Sequence, residues 1–119
     1  MHLRRVVEAR SQQGDVYWAD PDPTRGREQA KPRPFMVVSV DQLNQASLGL
    51  SLAAPLTRTD FGSALHLAIH SPEGGLREDG FAMPEQVRAI SHERLSRRLG
   101  NLRPATLDEL LKRCRVLLR

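Results

Sequence analysis

Residues 14–34 read GDVYWADPDPTRGREQAKPRP, and no other stretch constrains the fold and the chemistry of the chain as strongly. A short run with β-strand character, residues 15–19, leads into a long polar loop, and the loop leads into an apolar run at residues 34–40. Charged groups held between two strands in this way indicate a site for a phosphate backbone. From residue 25 onward the loop contains four cations and one carboxylate: Arg25, Arg27, Glu28, Lys31 and Arg33.

The composition indicates one small domain with an anionic partner. The chain has 119 residues, of which 39% are hydrophobic, and this is enough for a single small core. The formal net charge is +4, and all 18 basic residues except Lys31 and Lys112 are arginine. Because arginine binds phosphate through a planar, permanently charged fork, nucleic acid is the favoured partner. An arginine-rich genome is the alternative explanation of this composition.

The cysteine content and the hydropathy predict a cytoplasmic protein. Cys114 is the only cysteine, so an internal disulfide is excluded and a reducing compartment is expected. Its position on an apolar helix face predicts a core residue. Residues 1–13 lack the apolar stretch of a signal peptide, and no segment approaches the roughly 18 apolar residues of a membrane span.

Short apolar runs separated by turn-rich segments predict a mainly β fold. Many short strands at this spacing are typical of a small barrel or sandwich. Residues 1–13 are expected to form a loose or short helical lead-in, and residues 14–119 a single domain. The predicted strands cover residues 15–19, 35–40, 50–55, 64–69, 80–83 and 86–90.

Two helices are predicted after these strands. Residues 91–98 are expected to form a short helix, with Ser91 as its N-cap and Gly100 beyond its end. The second helix is expected to begin at Thr106, where the sequence Thr-Leu-Asp-Glu has the pattern of a capping box. An apolar stripe then follows at helical spacing and must cover either an open face of the barrel or a partner subunit. The stripe consists of Leu107, Leu110, Leu111, Cys114, Leu117 and Leu118.

Three stretches of the sequence follow one another in a telling order: GDVYWADPDPTRGREQAKPRPFMVVS at residues 14–39, APLT at residues 54–57 and EQVRAI at residues 85–90. They resemble the first, second and third motifs of the MazF/PemK toxin endoribonucleases, the group that includes Kid. The resemblance covers residues 14–118 and implies an SH3-like β-barrel with a C-terminal helix, acting as a homodimer.

The resemblance also implies a function and a set of site residues. Family members are toxins of type II toxin-antitoxin systems that cut single-stranded RNA at specific sequences, without a metal or another cofactor, and a cognate antitoxin neutralises them. The catalytic arginine of the family falls on Arg33, and its catalytic hydroxyl falls on Thr57. The loop glutamate falls on Glu28, and the acid that serves as base in the Kid branch falls on Glu85. The chain departs from the family pattern at Pro21, Arg27 and Met83.

The chemistry of metal-free RNA cleavage gives these residues distinct tasks. A base must take the proton of the ribose 2′-OH, a second group must stabilise charge on phosphorus, and an acid must protonate the 5′-oxygen. Arg33 is suited to charge stabilisation, and the Thr57 hydroxyl to a phosphate contact, although a lone threonine at a strand end more commonly closes a turn. Glu28 either acts as the base or holds a neighbouring arginine. Glu85 is either the base or a plain surface carboxylate.

Further polar residues are predicted to contact RNA or to be solvated. Arg94, Arg97 and Arg98 are interpreted as a solvated face. His66 and His70 lack an accompanying acid or cysteine in the sequence, so no metal site is expected. The predicted RNA contacts, for which solvated charges are the alternative, are Arg25, Arg27, Lys31, Gln86 and Arg88.

Three other functions stay open at this stage. One is a gyrase poison of the CcdB type, which shares the barrel and the dimer with the nucleases but lacks the nuclease site. The second is a non-catalytic RNA-binding module with an SH3-like fold, and the third is an inactive remnant of a toxin. The presence of both Arg33 and Thr57 favours a nuclease that arrests translation.

Overall fold

The computed structural model describes residues 11–21 and 31–118, which form a mainly β fold with a C-terminal helix. This architecture confirms the predicted fold class. The helices are α1 (Asp41–Asn44) and α2 (Pro104–Val116). The strands are β1 (Asp15–Ala19), β2 (Arg33–Val37), β3 (Leu50–Thr57), β4 (Leu67–Ile69), β5 (Gly80–Ala82), β6 (Arg88–Ser91) and β7 (Leu95–Asn101).

The strands pair in the order β4-β5-β3-β2-β1-β7, and every ladder is antiparallel. β3, with eight residues, pairs with β2 along one edge. Its other edge is shared, because residues 50–53 pair with β6 and residues 56–57 pair with β5. Across the described residues the ladder does not join β7 to β4, so the barrel is open at that point.

The core lies on both faces of β2, because every residue at its centre is apolar. Phe35, Met36 and Val37 are each at most 2% exposed. Met36 packs into a cluster with Val16 and Leu56, whereas Phe35 packs into a second cluster on the opposite face of the strand. A strand buried on both faces is rigid, so the residues at its ends are held in fixed positions.

Helix α2 covers the first of these clusters with its apolar stripe. Leu110 is fully buried, and Leu107 and Cys114 are partly buried against the same cluster. The prediction that Cys114 contributes to the core is therefore confirmed. Leu117 and Leu118, at the end of the stripe, are 41% and 84% exposed.

The predicted helix at residues 91–98 is wrong. The chain instead makes a 3-10 turn at His92–Arg94 and continues as β7, which pairs with β1. Leu95 and Leu99, four residues apart, fit one face of a helix and also one face of a strand, so their spacing does not distinguish the two. Pairing with β1 decides for the strand, because it satisfies the backbone groups and lets both leucines pack against the core.

The predicted capping box at Thr106 is also wrong. Helix α2 begins two residues earlier, with Arg103 as N-cap and Pro104 in its first turn, a position that suits a residue without an N–H. Thr106 is inside the helix and donates a hydrogen bond to Glu73 instead of capping its own helix.

The expected loose lead-in does not extend over residues 11–13. Ser11 is fully buried, and its hydroxyl lies 2.8 Å from the hydroxyl of Ser51 on β3. The backbone N–H of Gln13 donates to Asp41 at the start of α1. The remainder of the predicted lead-in, residues 1–10, lies outside the described residues.

Candidate active site at the end of strands β2 and β3

Arg33 and Thr57 are brought together by the pairing of β2 with β3. Phe35 lies opposite Pro55 in this ladder, and two further antiparallel steps place Arg33 opposite Thr57. Residues that face each other across such a ladder have Cβ atoms about 5 Å apart. Arg33 is the first residue of β2 and Thr57 the last residue of β3, so both lie where rigid strands end.

The Arg33 side chain carries a donor that the fold leaves unused. Its Nε atom is buried, and no acceptor for it is found in the described part of the chain. A buried N–H without an acceptor costs roughly 1–3 kcal/mol, so such a group is retained where an external acceptor satisfies it. A phosphate oxygen is the acceptor that best matches a guanidinium.

The Thr57 side chain closes a turn and still has a proton to donate. Its Oγ1 accepts the backbone N–H of Thr59 at 3.1 Å. This is the turn that a lone threonine commonly forms. Because that contact uses only an oxygen lone pair, the hydroxyl hydrogen remains free to rotate toward a ligand.

A cationic cleft lies on one side of this pair of residues. It is walled by Trp18 and Leu99 and also contains Glu78, which forms an ion pair with Arg58. Cations therefore outnumber acids strongly among the lining residues, and a polyanion is the complementary ligand. The cations of this cleft are Lys31, Arg33, Arg58, Arg77 and Arg97.

A second, mixed cleft lies on the other side of the same pair. Arg33 and Thr57, together with Thr59, line both clefts and therefore form the boundary between them. The second cleft has an aromatic and apolar wall that includes Phe35 and Phe61. Its remaining polar lining consists of Ser63, His66, Glu85, Gln86 and Arg88.

His66 and Glu85 form a hydrogen-bonded pair in the second cleft. The distance from Nε2 of His66 to Oε2 of Glu85 is 2.8 Å. The His66 side chain is 6% exposed, whereas that of Glu85 is 33% exposed. Glu85 lies in the 3-10 turn Pro84–Gln86, and His66 directly precedes β4. Glu85 therefore lines a cleft together with Arg33, and its carboxylate is hydrogen-bonded to His66.

The expectation that no acid accompanies the histidines is wrong in three dimensions. Glu85 contacts His66, and Asp79 lies 3.4 Å from His70 on the surface. Asp79 directly precedes β5, and Glu85 lies in the turn after it. Neither acid is close in sequence to the histidine that it contacts, so the sequence alone does not show these pairs. Residues 11–21 and 31–118 contain no group of three or more His, Cys, Asp or Glu side chains that could hold a metal ion.

The other predicted contacts divide between the two clefts. Lys31 lies in the cationic cleft, while Gln86 and Arg88 lie in the second. Arg94, Arg97 and Arg98 are all exposed, as predicted. Arg97 also lines the cationic cleft, and Arg98 also pairs with the buried Asp15 at 3.2 Å. Three predicted site residues lie outside the described part of the chain: Arg25, Arg27 and Glu28.

Arg58, Arg77 and His66 line the clefts but were not among the site residues predicted from the sequence. Arg58 and Arg77 lie in turn-rich segments where surface arginines are common, and they are too far from Arg33 in the sequence for their proximity to be predicted. One sequence feature pointed to an ordered position for His66: it lies at the start of an alternating apolar run, which predicts a place at the beginning of a strand.

The comparisons with known proteins agree with this architecture. Residues 12–118 match the profile of a family described as PemK-like, MazF-like toxins of type II toxin-antitoxin systems. The endoribonuclease toxin MazF of Escherichia coli K12 is 32% identical over 106 residues, which cover 88% of this chain and 91% of that protein.

Solved structures have the same fold. MazF from Deinococcus radiodurans (Form-I) superposes with a TM-score of 0.77 at 24% identity, over 91% of this chain and 96% of that one. A mycobacterial endoribonuclease in complex with its cognate antitoxin superposes with a TM-score of 0.75 at 21% identity, over 91% and 94% of the two chains.

Among the described residues, no helix is long and apolar enough to cross a membrane. The chain belongs to the PemK-like, MazF-like toxins of type II toxin-antitoxin systems.

Proposed function

We propose that this toxin is a metal-independent endoribonuclease that cuts single-stranded RNA at the boundary between its two clefts and thereby inhibits translation. The observation that carries the proposal is that Arg33, which has a buried donor without an acceptor in the described residues, lines the same two clefts as the hydroxyl-bearing Thr57. The name of the Escherichia coli relative, an endoribonuclease toxin, supports the same activity.

Each group has one role in the proposed reaction. Arg33 binds the scissile phosphate and stabilises the charge that develops on its oxygens, and the Thr57 hydroxyl donates to the same phosphate. Glu85 is the carboxylate in the second cleft, and it takes the proton of the ribose 2′-OH. The O2′–P bond forms, the P–O5′ bond breaks, and O5′ leaves with a proton from water. The products are a 2′,3′-cyclic phosphate and a 5′-OH.

The substrate class follows from the same chemistry and from the cationic cleft. DNA lacks the attacking 2′-OH and is expected to survive. The cations of the first cleft hold the phosphates of the flanking RNA, which suits an extended single strand better than a stiff duplex. Base recognition within the second cleft would make the cleavage sequence-specific.

Replacement of Arg33 tests this proposal directly. Arg33→Ala is expected to lower the cleavage rate of an unstructured transcript about 100- to 1000-fold, because a preorganised donor to the transition state is lost. Cleavage is followed on a gel in the presence of EDTA, and the product ends are mapped. The matched control is Arg94→Ala, since Arg94 is exposed and lines neither cleft.

Two results would refute the nuclease. One is intact RNA in the presence of the wild-type protein, together with trapped gyrase–DNA complexes, which would favour the CcdB-type function. The other is binding of RNA without cleavage, which would favour the non-catalytic module. Cleavage that EDTA abolishes would refute the metal independence of the reaction.

We also propose a homodimer in the cytoplasm, with a cognate antitoxin as the second protein partner. The mycobacterial structure with its antitoxin supports the latter. A dimer or an antitoxin would bury apolar side chains that are exposed in the single chain. Sedimentation at micromolar protein concentration tests the dimer, and a monomer in that experiment would contradict it. These exposed side chains are Val40, Leu48, Leu52, Val116, Leu117 and Leu118.

A further inference from the structure

The His66–Glu85 pair differs from an ordinary surface ion pair in its degree of burial. The imidazole is 6% exposed, and the ring of Phe61 packs against it edge-on, with ring centroids 6.0 Å apart at an angle of 82°. The Nε2···Oε2 distance of 2.8 Å is that of a good hydrogen bond. The imidazole is therefore fixed in one orientation by packing on one side and by Glu85 on the other.

The second ring nitrogen indicates which tautomer the site holds. Nδ1 of His66 is buried and has no hydrogen-bond partner among the described residues. An imidazolium, or the tautomer with its proton on Nδ1, would place a buried N–H donor there without an acceptor. The arrangement thus favours a proton on Nε2, which donates to the Glu85 carboxylate. Because Nδ1 is enclosed and Nε2 is engaged, the imidazole itself does not contact RNA.

The backbone of His66 is held by the C-terminal helix. Arg113 of α2 donates through one guanidinium nitrogen to the carbonyl oxygens of Ala64, Leu65 and His66, at 3.4, 3.3 and 2.5 Å. Its Nε donates to Glu109 one helical turn earlier, at 2.8 Å. That hydrogen bond lowers the pKa of the Glu109 carboxyl, so the pair stays charged near neutral pH. Helix α2 is itself fixed to the core through Leu110.

The charged groups around the pair come from three elements of the described chain. Arg33 faces the same cleft from β2, and Arg88 faces it from β6. Arg113 lies behind the His66 backbone on α2. Glu85 is the acid among the described residues that line this cleft, and Arg33 and Arg88 are the cations that line it with Glu85.

We propose that His66 is a positioning residue of the nuclease, which orients the Glu85 carboxylate toward the boundary formed by Arg33 and Thr57, and that Arg113 holds His66 in place from α2. This inference rests on the role proposed above for Glu85. Nε2–H of His66 binds one carboxylate oxygen, Oε2, and leaves the other oxygen, Oε1, to take the ribose proton. A carboxylate that is 33% exposed would otherwise rotate freely between the cleft and solvent.

Kinetics of His66 variants separate positioning from packing. His66→Phe keeps the ring but removes the donor, and we expect kcat to fall about 10- to 100-fold with KM nearly unchanged. His66→Gln, whose amide reaches the same position, should recover most of kcat. His70→Phe is the matched control, since His70 pairs with Asp79 on the surface outside both clefts.

A double-mutant cycle with Glu85 decides whether His66 acts through that residue. If it does, His66→Phe adds little to the loss already caused by Glu85→Gln. Effects that multiply would overturn the inference, as would wild-type kcat in His66→Phe. Arg113→Lys keeps the charge but not the contacts with three carbonyl groups, so it should lower kcat while the protein remains folded by circular dichroism.

Nuclear magnetic resonance of the imidazole tests the geometry without any reference to RNA cleavage. The nitrogen shifts of His66 should report a proton on Nε2 and none on Nδ1, and Glu85→Gln should perturb them while Glu78→Gln does not. A proton on Nδ1 would overturn the inference. If the wild-type protein fails to cut RNA, the proposed function fails, and the nitrogen shifts still decide how His66 and Glu85 are paired.

Discussion

The hydroxyl of Thr57 has two tasks at one atom. Its oxygen accepts the N–H of Thr59, and its proton is available to a phosphate. Arg33, which lines the same two clefts, provides a donor with no acceptor among the described residues. At the scale of single residues the site is therefore a pair of unused donors at the ends of two paired strands.

Removal of the Thr57 hydroxyl should affect rate much more than stability. Thr57→Val keeps the shape, and we expect cleavage to slow by about 100-fold because a donor to the transition state is lost. The free energy of unfolding should change by less than about 1 kcal/mol, since the Thr59 N–H is exposed and can bind water instead. Cleavage assays and thermal unfolding measure the two effects. Thr57→Ser should be close to wild type, and wild-type activity in Thr57→Val would remove this hydroxyl from the site.

The 3-10 turn Glu73–Gly75 and the start of α2 are joined by one buried carboxylate. Oε2 of Glu73 accepts the backbone N–H of Arg103 at 2.9 Å, and Oε1 accepts the Arg103 guanidinium at 3.0 Å. The side chain of Glu73 is 7% exposed. Burial alone would raise the pKa of this carboxyl, but the hydrogen bonds from Thr106 and Arg103 outweigh burial and lower it. The negative charge also lies at the N-terminal end of the helix, where the helix dipole stabilises it.

This lowered pKa predicts an acid-dependent loss of stability at the turn–helix junction. The contribution of Glu73 is fully present above the ordinary pKa of a glutamate and is lost as the pH falls through the lowered folded-state pKa. Glu73→Gln should reduce the free energy of unfolding by about 1–3 kcal/mol at pH 7 and by progressively less in acid. Denaturant unfolding at a series of pH values measures this. The exposed Glu78→Gln should have a small effect, and an equal deficit for Glu73→Gln at every pH would contradict the assignment.

At the scale of secondary-structure elements, strand β7 was not predicted because its stability comes from a distant part of the chain. A strand is stabilised by its neighbours, and β7 owes its conformation to pairing with β1, about eighty positions away in the sequence. The local pattern of residues 91–98 lacks this information. Helix α2, by contrast, follows from its own apolar period, and only its first residues differ from the prediction.

At the scale of the whole molecule, five basic side chains line the cationic cleft on one side of the boundary formed by Arg33 and Thr57. The cationic cleft collects basic residues from four separate regions of the chain, including Lys31, Arg58, Arg77 and Arg97. A single strand of RNA that lies there releases counterions in proportion to the phosphates it contacts. Binding should therefore weaken steeply with salt, whereas the chemical step should not.

Arg77 provides the test at this scale. Arg77→Ala should raise KM much more than it changes kcat, and it should reduce the slope of log affinity against log salt by about 0.7, the value for one contact to a single strand. Fluorescence anisotropy with labelled RNA at several salt concentrations measures the slope. Lys112→Ala, on an exposed position of α2 outside both clefts, is the matched control. An unchanged slope in Arg77→Ala would mean that RNA does not follow this cleft.

The sequence by itself determined the strands that carry Arg33 and Thr57, the C-terminal helix and the family. These features depend on local periodicity and on contiguous motifs, which a linear reading detects. Only the tertiary structure decided that residues 95–101 form a strand, that Arg58, Arg77 and Arg97 share a cleft, and that His66 contacts Glu85. The physical reason is that each of these depends on the register of strands far apart in sequence, and that register is set by burial of the whole core.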